Sequence, residues 1–159
     1  MKDLPHMFKI VTVWLVLGTV VFLGFQAWQG HERRTQFSAL EGVIEIRRSP
    51  DGHYHWPGSV NGMAVDFLVD TGATSTALPL ALASRAGLVS QGRVTSSTAG
   101  GIVQGTVSSA DLELEGGVRV TRLRVTVLPG LAAPLLGMDV LSKLRWSQGS
   151  GVLRVESRQ

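Results

Sequence analysis

In this 159-residue chain the sharpest chemical signal is Asp70-Thr71-Gly72-Ala73-Thr74. It follows a stretch in which Met63, Val65, Phe67 and Val69 alternate with Ala64, Asp66 and Leu68. Period two makes this a strand, so Asp70 ends it and holds its carboxylate at a strand-to-loop corner, where a carboxyl group can take up or give a proton. Taken alone, the tripeptide also reads as an ordinary turn, because Asp accepts local backbone hydrogen bonds and Gly supplies special dihedrals. His53 and His55 share one strand face and suit a metal in type, but residues 37–159 hold no third histidine. A three-ligand site is therefore incomplete, and structural or surface roles are the simpler reading. Asp66 shares the Asp70 face and is expected to be a solvated position or an interface ion pair, and Asp139 to cap a helix. Without cysteine there is no disulfide, thiolate metal site or cysteine nucleophile. No metal site and no cofactor is expected.

The elements that must position Asp70 follow from turn chemistry and periodicity. Phe37–Arg48 reads as a first strand, closed by Pro50-Asp51-Gly52. His53–Val60 then runs into Asn61-Gly62, a strong two-residue hairpin signal, and on into Met63–Asp70. Pro79–Ala86 is a short helix with Pro at its start and Gly87 as its stop. Val94–Thr98 and Ile102–Leu114 are extended arms around the tip Ala99-Gly100-Gly101. Glu115-Gly116-Gly117 turns into the β-branched stretch Val118–Leu128, and Pro129-Gly130 ends it. Leu135-Leu136 is a buried pair before Gly137, a short helix reaches Leu144, and Gly151–Val155 is a last strand. The unit is mostly β, and no repeat of solenoid period runs through it.

Charge and hydropathy divide the chain. A sequence pI near 10 suggests nucleic acid, yet residues 1–36 carry four basic and two acidic side chains, which leaves 11 against 10 for residues 37–159. That remainder is almost neutral, and its cluster Arg119, Arg122 and Arg124 has no interleaved aromatics, so nucleic acid is not expected as a partner. Ile10–Phe25 contains no charge. From Phe8 to Trp28 the run reaches the roughly 20 residues needed to cross a bilayer, and it is long for the apolar core of a cleaved signal peptide. An uncleaved transmembrane anchor over 1–28 is expected, then a polar tether over 29–36 and one folded domain over 37–159. Lys2 and Lys9 before the run balance Arg33 and Arg34 after it, so charge chooses no orientation. The 123 positions of residues 37–159 suit a single domain and exclude a two-lobed enzyme.

Several of these features occur together. Gly52-His53-Tyr54 precedes a strand, Val60-Asn61-Gly62 precedes the next, Leu68 to Thr74 reads L-V-D-T-G-A-T, a glycine-rich hairpin follows, and Leu135 to Leu141 reads L-L-G-M-D-V-L. Over His53–Val155 the chain resembles the retropepsin-like aspartic proteases, in particular a bacterial branch in which the domain follows one N-terminal membrane helix. Ala73 resembles the retroviral type. The tip Ala99-Gly100-Gly101 departs from the Asn-Gly expected in that branch.

The resemblance implies an all-β fold: a single-lobe, closed-barrel acid-protease domain with one or two short helices, preceded by one transmembrane helix. It implies an aspartic endopeptidase with Asp70 as its catalytic group, no cofactor, and a protein or peptide substrate bound in extended form. Thr71 would bond across the paired site, and Gly72 would let backbone N–H groups approach the carboxylates. Ala73 and Thr74 would complete the loop, and Leu135, Leu136 and Gly137 would pack behind it. Ala99, Gly100, Gly101 and Ile102 would form the tip of a flap spanning Thr98–Gly105. Because the chain has one D-T-G and a carboxyl pair needs two, the resemblance implies a homodimer with Asp70 on either side of a two-fold axis. It also implies a bacterial inner-membrane location with the catalytic domain on the periplasmic side. Two other readings stand beside it: a non-catalytic, membrane-tethered peptide-binding dimer of the same fold, and a monomeric β adaptor held at the membrane.

Overall fold

A computed structural model of the chain describes residues 6–34, 37–40, 42–98 and 100–156. It divides into two compact units, Met1–Gln36 and Phe37–Gln159. The first contains one helix, α1 (His6–Arg34). Side chains within α1 are described for residues 10–24 and are exposed, with Trp14 at 68%. Among the described residues no helix is long and apolar enough to cross a membrane. The crossing expected of Ile10–Phe25 is therefore not shown by the structure.

The second unit is built almost entirely of strands: β1 (Phe37–Leu40), β2 (Val43–Arg47), β3 (His55–Val60), β4 (Met63–Val69), β5 (Ala77–Pro79), β6 (Gly92–Thr98), β7 (Gly101–Leu114), β8 (Val118–Leu128), β9 (Leu135–Leu136), β10 (Arg145–Gly149) and β11 (Val152–Glu156). Two short helices interrupt them, α2 (Leu80–Arg85) and α3 (Met138–Leu141). The single strand expected over Phe37–Arg48 is two, β1 and β2, paired antiparallel. Pro79 precedes α2 and Gly87 follows it with φ +69°, the arrangement expected of Pro79–Ala86. Asn61 (φ 49°) and Gly62 (φ 80°) form the two-residue turn expected between β3 and β4.

Strand order closes a barrel. Pairing runs β3-β4-β9-β5-β8-β7, and β7 pairs back to β3, so six strands make a ring and β6 extends from β7 as a hairpin arm. Closure brings β3 and β7 very close, because a Cβ on Gly58 would stand 2.4 Å from the Glu113 carbonyl oxygen. Only glycine fits there. The alternation in β3, β7 and β8 turns Trp56, Val60, Leu112, Leu114, Val125 and Val127 inward. Trp56 is fully buried and satisfies its indole N–H by donating to the Glu115 carbonyl at 2.9 Å.

The remaining strands form a four-stranded sheet, β1-β2-β11-β10. Ile44, Ile46, Leu153 and Val155 of this sheet join Phe67, Leu136, Val140 and Leu141 in one apolar cluster, so sheet, barrel and α3 share a core. Burial of this kind contributes about 25 cal/mol per Å² of apolar surface and supplies most of what holds the unit together.

Candidate active site

Asp70 follows the last residue of β4. Its N–H donates to the Leu136 carbonyl at 3.0 Å, which fastens the corner to β9, and its own carbonyl accepts from Ala73 N–H at 3.3 Å. The carboxylate Oδ1 accepts the Gly72 N–H at 2.9 Å. A Cβ at residue 72 would lie 3.2 Å from that oxygen, so glycine lets backbone and carboxylate approach. Asp70 is half-buried, whereas Thr71 and Gly72 are exposed. The result is a fixed carboxylate at the rim of the barrel with Oδ2 unengaged among the described residues.

Two further segments meet the chain around this loop. Strand β9 lies between β4 and β5, with Leu68 and Val69 opposite Leu135 and Leu136 in parallel register and Ala77 opposite Leu135. Met138 N–H donates to the Ala73 carbonyl at 2.8 Å and Asp139 N–H to the Thr74 carbonyl at 3.1 Å. A Cβ on Gly137 would stand 2.5 Å from the Ser75 carbonyl carbon, so the two turns pack backbone against backbone.

Asp139 corrects an expectation and reveals a missed residue. It does not cap a helix: Gly137 occupies the N-cap of α3, and no side chain caps it. The Asp139 carboxylate reaches across to β5, accepting Thr76 N–H at 2.9 Å on Oδ2 and Thr76 Oγ1–H at 2.8 Å on Oδ1. Thr76 Oγ1 in turn accepts Gly137 N–H at 3.2 Å. Thr76, fully buried, is thereby satisfied, and the loop after Asp70 is clamped to α3. Sequence reasoning singled out neither the pair nor Thr76, because the partners are 63 residues apart.

Strands β6 and β7 form the expected hairpin, paired from Gly92–Val107 to Thr98–Gly101. Thr98 Oγ1 donates to the Gly101 carbonyl at 2.8 Å, and Gln104 Nε2 donates to Thr95 Oγ1 at 3.0 Å. Gly100, Gly101 and Ile102 are exposed at its end, Ile102 to 78%, and Ala99 lies outside the described residues. No hydrogen bond or ion pair among the described residues joins this tip to the Asp70 loop.

The histidines are arranged differently from expectation. β3 begins at His55, so His53 precedes the strand and the two do not share its face. His55 stands between two carboxylates, Nε2 at 2.8 Å from Asp51 Oδ2 and Nδ1 at 3.2 Å from Asp66 Oδ2. Asp66 is therefore paired within the chain, and its Oδ1 is buried without a hydrogen-bond partner. The His53 N–H, first, and the His55 side chain, second, hold the Asp51 carboxyl below its ordinary value. Groups of three or more side chains able to hold a metal are absent among the described residues.

Beside the Asp70 corner is a cavity of about 150 Å³, lined by Val69 at the end of β4, by Thr71 from the loop and by Trp146 and Gln148 from β10, with Arg48 and Tyr54 among its other walls.

Comparison with known proteins agrees with this geometry. Residues 56–143, more than half of the chain, match the family model described as gag-polyprotein putative aspartyl protease. No curated protein matches the sequence. Among solved structures, the fold is similar to a retropepsin-like aspartic protease from Rickettsia conorii, with a TM-score of 0.60 at 24% identity, covering 76% of this chain and 94% of that one. It is also similar to the EIAV protease complexed with the inhibitor HBY-793, with a TM-score of 0.50 at 19% identity, covering 62% and 93%.

Proposed function

The chain belongs to the gag-polyprotein aspartyl protease family and is an aspartic-type endopeptidase, and from that premise we propose that it works as a membrane-anchored homodimer with Asp70 of each copy forming one catalytic pair. The observation that carries this reading is a single D-T-G at the barrel rim, its carboxylate held by the Gly72 N–H and its backbone N–H by the Leu136 carbonyl. One carboxyl cannot do the chemistry alone. Of two Asp70 carboxyls sharing a proton, the ionised one takes a proton from water as its oxygen bonds to the scissile carbonyl carbon, and the protonated one gives its proton to the carbonyl oxygen. Collapse of the diol returns a proton to the leaving amide nitrogen as the C–N bond breaks, giving a carboxyl and an amine. No metal or cofactor enters the step.

The hairpin β6–β7, through Gly100, Gly101 and Ile102 together with Ala99, closes over an extended protein segment, which binds by strand-like main-chain hydrogen bonds. Thr71, beside Asp70 and exposed, braces the two loops across the axis; Ala73 and Thr74, fixed by Met138 and Asp139, complete the floor. The apolar run Ile10–Phe25 within α1 anchors the chain in a bacterial inner membrane, with residues 37–159 on the periplasmic side.

With the full chain in detergent and an unstructured protein at mildly acid pH, Asp70→Asn is expected to lower cleavage by about a hundredfold or more. Cleavage at the unmodified rate would end the proposal. A reporter active only outside the cytoplasm, fused after Gln159, is expected to be active, and its inactivity would overturn the orientation.

A further inference from the structure

The cavity beside Asp70 has walls whose hydrogen-bonding character is one-sided. It measures about 150 Å³, several times the roughly 30 Å³ that one water occupies in the liquid, so it has room for a small polyatomic ligand. Its polar walls are Arg48, His53, Tyr54, Thr71, Trp146 and Gln148. A guanidinium and an indole N–H are donors only, and the hydroxyls of Tyr54 and Thr71 can each turn an O–H toward an acceptor. No acidic residue is among its described walls. Asp51 and Asp70, the carboxylates nearest to these walls in sequence, are engaged elsewhere, Asp51 with His55 and Asp70 with the Gly72 N–H.

The donors are not used up inside the chain. Arg48 donates its Nε–H to the Gly52 carbonyl at 2.6 Å, which ties the guanidinium to the turn before β3 and leaves its Nη groups without an acceptor among the described residues. Tyr54 is only 8% exposed, yet its hydroxyl makes no hydrogen bond among the described residues. A buried hydroxyl calls for a partner. This one is not sealed in, because Asp66 Oδ1 is the single sealed side-chain atom without a partner among the described residues. The Tyr54 hydroxyl therefore opens on space, and the cavity is the space that Tyr54 lines. The indole N–H of Trp146 is likewise without an acceptor among the described residues. A surplus of donors around a cation matches a ligand that only accepts and is negatively charged.

We propose that the cavity binds a small carboxylate anion, gripped by the Nη groups of Arg48 and completed by the Tyr54 hydroxyl and the Trp146 indole N–H. A planar guanidinium suits a carboxylate in its fork geometry. Two sources carry such a group: a free small carboxylate, and the C-terminal carboxylate of a cleaved peptide, of which only the end fits so small a space. Val69 and Thr71, on either side of Asp70, are also walls. A bound anion thus puts negative charge beside the catalytic corner and opposes the ionised member of the carboxyl pair, so occupancy slows cleavage. That consequence rests on the proposed role of Asp70, whereas binding does not.

The test uses the isotope-labelled full chain in detergent micelles at about pH 6, where acetate is ionised. Sodium acetate is titrated against sodium chloride of equal ionic strength. Acetate, and not chloride, is expected to shift the Trp146 indole and Thr71 amide signals saturably, and cleavage of an unstructured protein is expected to fall with the same midpoint. Arg48→Gln is expected to weaken acetate binding about tenfold or more. Tyr54→Phe, which removes only the hydroxyl, is expected to weaken it about threefold or more while leaving cleavage without acetate unchanged. N-acetyl-alanyl-alanine and its C-terminal amide separate the two sources: shifts from the acid alone assign the site to peptide ends as well, and an acid that moves nothing restricts it to free small carboxylates. The absence of a saturable shift overturns the proposal, as do shifts of equal strength in both variants; should Arg48→Gln fail to fold, Tyr54→Phe decides. Saturation with no change in cleavage would overturn the link to Asp70. Undiminished cleavage by Asp70→Asn would instead sink the catalytic reading, and acetate binding to that variant would be judged by the same signals.

Discussion

Asp70 and Asp139 show what single residues reveal in sequence and what they conceal. Asp70 is legible because its surroundings are local: an alternating strand before it and Gly72 after it fix both the corner and the short approach of N–H to carboxylate. Asp139 is not, because its partner Thr76 lies on another element and nothing in Met138-Asp139-Val140-Leu141 indicates a carboxylate reaching to β5. Near the start of a helix an aspartate reads as a cap by default, yet this one accepts two hydrogen bonds from a buried threonine that also steadies Gly137. Removing it would strand the Thr76 N–H in the interior. Asp139→Ala is expected to cost about 2–3 kcal/mol, since a lost charged acceptor leaves a buried donor unsatisfied. Asp139→Asn, which keeps one acceptor oxygen, is expected to cost about half as much. Urea denaturation of the two variants checks the order, and an alanine variant as stable as the unmodified chain would show that the clamp contributes nothing.

Elements whose turns have distinctive chemistry were readable, and those defined only by where they pack were not. Asn61-Gly62 announces its hairpin because both residues accept positive φ. The alternation in β4, β7 and β8 survives because one face of each meets the core. By contrast, β10 is an edge strand with an exposed or half-exposed, mostly polar sequence, so no apolar period marks it. Its turn is equally disguised, since Ser150 takes φ 50° without being glycine or asparagine. This residue is strained for a small stabilising opportunity: asparagine tolerates the left-handed region better, and Ser150→Asn is expected to stabilise the unit by about 0.5–1 kcal/mol. A higher denaturation midpoint would agree with the assigned turn. A lower one would mean that Ser150 holds its conformation for another reason.

At the scale of the whole molecule, length and motif count gave more than any periodicity could. A chain with 123 residues after its N-terminal segment and one D-T-G has room for one barrel and one carboxylate. Closure of that barrel through β3 and β7 was not readable, because it depends on Gly58 meeting the Glu113 backbone across more than fifty residues of sequence. The proposed sharing of one site between two copies has a quantitative consequence independent of substrate identity. If both carboxyls are needed and they come from different copies, a mixed dimer of one unmodified and one Asp70→Asn chain is inactive. Mixing the two forms in equal amounts, at constant total protein and after subunit exchange, should then leave about one quarter of the activity, the share of dimers with both aspartates. A self-sufficient monomer would retain about one half, because each unmodified chain would work regardless of its neighbour. A series of mixing ratios separates a square law from a straight line even where the absolute rates are low. Anchoring by α1 would confine both copies to one plane and raise their effective concentration without altering the shape of that curve. The exponent therefore reports the stoichiometry of the active site itself, and a linear dependence would remove the shared pair from the mechanism.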